Sequence, residues 1–134
     1  MKDGKPAYDY NFLGLEHFTV GSPRAIRPGK ATIEFDFQYD GGGLGKGGKG
    51  TLSVNGQRIA EGRIERTQPM IFSADETADV GIDLGTPVVE AVGAEAKSRF
   101  TGRIPKVTIQ VRDVNPQAEA AVNKALAEVR YKTE

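Results

Sequence analysis

The chain has 134 residues, the length of one domain, and its 18 basic and 18 acidic residues cancel to no net charge. That length argues against a two-domain enzyme, and the charge balance argues against a nucleic-acid binder working through bulk charge. With no cysteine and one histidine, a thiol nucleophile, a thiolate zinc site, a disulfide framework and a multi-histidine metal site are excluded.

Glycine (17) and proline (7) break the chain into many short elements. No apolar run approaches the ~20 residues of a membrane span, and the N-terminus lacks a signal-peptide pattern. In chain order, Tyr8, Tyr10 and Phe12 alternate with polar residues and read as core or an interface edge, with a sugar-stacking platform as the sharper alternative. Leu15 to Val20 reads as a strand carrying His17, with Leu15 or Phe18 inward. Ala31 to Tyr39 is the clearest strand: Ile33, Phe35, Phe37 and Tyr39 alternate with Glu34, Asp36 and Gln38, a period of two that only a sheet buries well.

Gly41 to Gly50 holds seven glycines in ten positions with Leu44, Lys46 and Lys49, and reads as a hairpin loop. Thr51 to Val54 resumes a strand, Asn55-Gly56 is the favoured type I′ hairpin dipeptide, and Gln57 to Glu65 returns with a bulge expected at Gly62. Pro69 to Phe72 is a short apolar segment, and Ser73 to Thr86 reads as a long acidic loop. Arg99 to Ile104 leads through Pro105 into a last strand, Lys106 to Arg112. Asn115 as N-cap and Pro116 at the first helical position open an amphipathic helix near Pro116 to Tyr131. The expected fold is all-β, an antiparallel β-sandwich or jelly roll over residues 1–113. One C-terminal amphipathic α-helix, within 114–134, packs on it or on a partner.

Few motifs point to chemistry. Gly43, Gly45 and Gly48 spell G-x-G-x-x-G, and Gly43 with Gly48-Lys49 nearly spells a P-loop. Both need a helix behind the loop to meet a phosphate, and the following residues read as a strand. Lys46 and Lys49 could still meet an anion belonging to a partner. Asp75, Glu76, Asp79 and Asp83 cluster on one loop; calcium through hard oxygens and a glycosidase-type pair are both weighed, and solvation or capping is the favoured reading. His17 is the only neutral-pH switch in the chain, though a lone strand histidine is more often a hydrogen-bonded surface residue than a catalyst. No catalytic residue and no metal ligand is assigned.

Several segments nonetheless resemble the C-terminal region of bacterial arylsulfatases of the alkaline-phosphatase-like sulfatase class. They are Tyr10 to Glu16 (YNFLGLE), Phe37 to Gly48 (FQYDGGGLGKGG), Ala60 to Thr67 (AEGRIERT), Phe72 to Gly81 (FSADETADVG) and Phe100 to Ile104 (FTGRI). In that family the chemistry lies in a separate, larger domain, with a formylglycine made from a Cys/Ser-x-Pro-x-Arg motif beside a divalent metal. This chain lacks the motif; Ser22-Pro23-Arg24 has its proline one place early. The resemblance therefore implies a non-catalytic β-domain, without cofactor of its own, that packs against a sulfatase catalytic domain. His17, Gly43, Lys46, Lys49, Asp75, Glu76 and Asp79 are its candidates for the domain interface or the border of a cleft taking a sulfated small molecule or glycan. Two other readings stand beside it: a free-standing carbohydrate-binding module, and a sandwich that self-associates through exposed edges.

Overall fold

The computed structural model describes residues 1–69, 78–112, 120 and 124. Five strands form two antiparallel sheets. Strands β1 (Ala7–Phe12) and β2 (Glu16–Gly21) make a hairpin, and β3 (Ile33–Tyr39), β4 (Lys46–Val54) and β5 (Gln57–Arg66) make a three-stranded sheet with β4 in the centre. The helix expected over 116–131 falls outside the described residues apart from positions 120 and 124.

Register follows from the alternation. Phe35 pairs with Leu52, Phe37 with Gly50 and Tyr39 with Gly48, so one face of the sheet carries the aromatic residues of β3 and the other carries Glu34, Asp36 and Gln38. Asn55 (φ 50) and Gly56 (φ 78) form the tight β4–β5 turn with both residues left-handed, as a type I′ turn requires. Asn55 also accepts the Thr32 amide through Oδ1 at 2.8 Å while its own amide donates to the Thr32 carbonyl at 2.8 Å. The turn thus fixes the entry of β3.

The hairpin lies on the apolar face. Tyr8 stacks on Phe35 with ring centroids 3.6 Å apart. Val20, Leu52 and Ile64 are the fully buried hydrophobic residues, each contributing about 1.5–3 kcal/mol by burial. Val20 reaches so far because Gly50 and Gly62, paired across β4 and β5, leave a hollow beneath it.

Three sequence expectations change, and one open alternative is resolved. The glycine run is a loop only to Gly45; from Lys46 it is strand, with Gly47, Gly48 and Gly50 buried. The alternation could not show this, because glycine has no side chain to alternate. The register slip lies between Leu52 and Ser53, opposite Ile59, and not at Gly62, which stays in register with Gly50 where both glycines make room for Val20. Leu15, at the hairpin tip, is exposed, and Phe18 takes the inner side beside Tyr10. Lys106 to Arg112 alternates like a strand but joins neither sheet, and Val107, Ile109 and Val111 are exposed. Periodicity reports what a segment would bury, not whether it is paired.

Candidate functional site

The five candidate residues that are described, His17, Gly43, Lys46, Lys49 and Asp79, do not converge on one site. His17 sits on the outer face of β2. Its Nδ1 lies 2.8 Å from Asp9 Oδ1, and the Thr19 hydroxyl donates to Asp9 Oδ2 at 2.5 Å. A carboxylate only accepts, so Nδ1 carries the proton and Nε2 points outward. Hairpin pairing builds this cluster: Asp9 faces Thr19 and Asn11 faces His17. Asp9 could have been found only by fixing the register around the Leu13-Gly14-Leu15 turn, which carries no standard dipeptide.

Gly43 and Lys46 are brought together by a residue the sequence reading left in the core. The Tyr39 hydroxyl donates to the Gly43 carbonyl at 2.5 Å and accepts the Lys46 amide at 3.0 Å. This clip closes a loop whose Gly41, Gly42, Gly43 and Gly45 all have positive φ, a conformation that favours glycine. Cβ atoms added at Gly41, Gly42 or Gly43 would meet open space. The loop is half-buried apart from exposed Gly42, and a Cβ on Gly45 would already meet the Thr67 carbonyl oxygen at 3.3 Å.

Lys49 points to the opposite, polar face of the sheet. There it pairs with Glu61 at 3.1 Å, which also accepts from Arg58 at 2.9 Å. Arg63 grips Asp40 through two hydrogen bonds, 2.9 and 2.7 Å. The Arg63 guanidinium holds the Asp40 carboxyl below its ordinary range, and the Lys49 ammonium, with help from Arg58, does the same for Glu61. Lys49 is thus engaged in a surface ion pair, beside an Arg63 that also lies 3.8 Å from Glu65.

Of the acidic loop, Asp75 and Glu76 lie outside the described residues. Asp79 accepts the Leu84 amide at 2.9 Å, and Asp83 accepts the Val88 amide at 3.1 Å. Both cap turns, the reading favoured on sequence. The aromatic alternation of β1 is consumed internally: Tyr8 stacks on Phe35, the Tyr10 hydroxyl accepts the Gln68 amide at 2.7 Å, and Phe12 lies under Arg66. Burial, then neighbouring Tyr10 and Asp9, pushes the Tyr8 hydroxyl pKa up.

One further feature is the hairpin tip. Leu13 has φ 56 and is 60% exposed, and Leu15 is 75% exposed. The Asn11 side chain holds the turn by accepting the Gly14 amide at 2.7 Å. Beneath it, Arg66 binds Glu16 through two nitrogens, at 2.9 and 2.6 Å, and covers the Phe12 ring.

Among the described residues no helix is long and apolar enough to cross a membrane, and no group of three or more His, Asp and Glu is placed to hold a metal ion. Comparison with protein-family models, curated proteins and solved structures finds no match for this chain.

Proposed function

We propose that the chain is a non-catalytic β-domain of the arylsulfatase type, whose two sheets act as the halves of a sandwich that packs on a sulfatase catalytic domain. The observation that carries this reading is the hairpin tip. A leucine held in the left-handed region costs roughly 1–2 kcal/mol, and exposing it with a second leucine forgoes the burial that would offset that cost. Strain of this kind concentrates where a surface meets a ligand or partner. Val80 and Leu84, each 60% exposed, add apolar surface on a molecule whose described residues fully bury three hydrophobic side chains. The five segments resembling arylsulfatase C-terminal regions name the class of partner.

In this arrangement the Gly41–Gly45 loop borders the partner's substrate cleft, where backbone amides and Lys46 would meet a sulfate ester. Formylglycine and the divalent metal belong to the other domain. Calorimetric titration of this chain into an arylsulfatase catalytic domain lacking its own C-terminal region tests the reading. Saturable binding is expected, weakened about tenfold or more by Leu13→Ser with Leu15→Ser, the scale of an interface hot spot. Absence of heat with the catalytic domain, together with binding of a sulfated or neutral glycan by the chain alone, would replace this reading with that of a carbohydrate-binding module.

A further inference from the structure

We propose that Lys106–Arg112 is the missing outer strand of the three-stranded sheet, docking in the same chain on the open edge of β3. The inference is independent of the sulfatase reading. Among the described residues β3 pairs with β4 on one side only, leaving its other edge as a row of backbone amides and carbonyls of the kind that proteins ordinarily cover, charge or pair. The two partly exposed ends of β3, Ile33 and Tyr39, are 44% and 37% accessible. Lys106–Arg112 carries the complementary deficit: Ile109 is 85% exposed and Val111 89%.

Two observations select this occupant. Arg112 already forms an ion pair with Asp36, in the middle of β3, so the segment is tethered to that strand. Their side chains also match face by face. With Arg112 opposite Asp36, an antiparallel docking sets Val111 beside Phe37 and Ile109 beside Tyr39; a parallel one sets Val111 beside Phe35 and Ile109 beside Ile33. Either direction joins apolar to apolar and polar to polar, because side chains alternate with a period of two. A second copy of β3 is a poor competitor, since antiparallel self-pairing about its centre places Asp36 against Asp36, and like charges directly opposite repel. Attachment to the same chain keeps the segment's local concentration high as well.

The chain has no cysteine, so disulfide trapping reads the pairing without background. Gln110→Cys combined with Gln38→Cys reports the antiparallel docking, and Gln110→Cys with Glu34→Cys the parallel one; Glu34, Gln38 and Gln110 are exposed, so the substitutions spare the core. The expected result under mild oxidation is a reductant-sensitive, faster-migrating monomer for one of the two pairs, with slowed amide exchange at Val107, Ile109 and Val111 in the unmodified chain. Disulfide-linked dimers alone, or free thiols in both folded variants with rapid exchange across the segment, would overturn the proposal.

Discussion

Gly48 lies where an added Cβ would stand 2.5 Å from the Gln38 carbonyl oxygen and 2.6 Å from the Phe37 ring, and a Cβ on Gly50 would stand 2.7 Å from the Phe35 ring. These glycines are the floor on which the β3 aromatic residues lie. Gly48→Ala should therefore lower stability by about 1–3 kcal/mol, the cost of overpacking a filled site, whereas Gly21→Ala, whose Cβ would meet Ala7 at an ordinary 3.4 Å, should be near neutral; urea midpoints check both. The Asp40–Arg63 pair gives a pH prediction. Because Arg63 depresses the Asp40 pKa in the folded state, the pair's contribution is present above the ordinary carboxylate range and is lost as pH falls through the lowered folded value. Carbon-detected NMR titration should find Asp40 titrating below a model aspartate, and Arg63→Gln should return it to the ordinary range. That pairing was not legible in the sequence. Asp40 and Arg63 are 23 positions apart and meet only because β3 and β5 flank the same central strand.

At the scale of elements, the β4–β5 hairpin and the Tyr39 clip separate two kinds of order. Asn55→Ala removes both the left-handed preference at the turn and the acceptor for the Thr32 amide, and should cost about 1–2 kcal/mol; Asn55→Gly should lose less, since it keeps the backbone conformation. Tyr39→Phe should leave the melting temperature nearly unchanged but release the Gly43 carbonyl and the Lys46 amide, so that amides of Gly41 to Gly45 exchange faster. Hydrogen exchange followed by NMR separates these outcomes. The hairpin was legible because Asn55-Gly56 encodes its own backbone conformation and the flanking β-branched and apolar residues alternate. The β1–β2 turn is held instead by Asn11 and a strained Leu13, neither of which announces a turn in the sequence. The start of β4 was hidden for the opposite reason: Gly48 and Gly50 leave space for the Phe37 and Phe35 rings, and Gly47 lies against the Ile64 and Glu65 carbonyls of β5, facts that belong to those neighbours rather than to the glycines.

For the whole molecule, the strand-rich antiparallel fold follows from patterns visible along the chain, whereas the surface ion pairs and the placement of the candidate residues do not. His17, Lys49 and Gly43 were singled out by residue type, and the fold sends them to different faces. Exposed apolar surface lies elsewhere, at Leu13 and Leu15 on the hairpin tip and at Val80 and Leu84. The proposed packing against a sulfatase-type catalytic domain is checked by reading the genomic DNA upstream of the Met1 codon as far as the next in-frame stop. An in-frame catalytic region carrying Cys/Ser-x-Pro-x-Arg is expected; an immediate in-frame stop preceded by a separate ribosome-binding site, with no heat on titration into an arylsulfatase catalytic domain, would contradict the proposal.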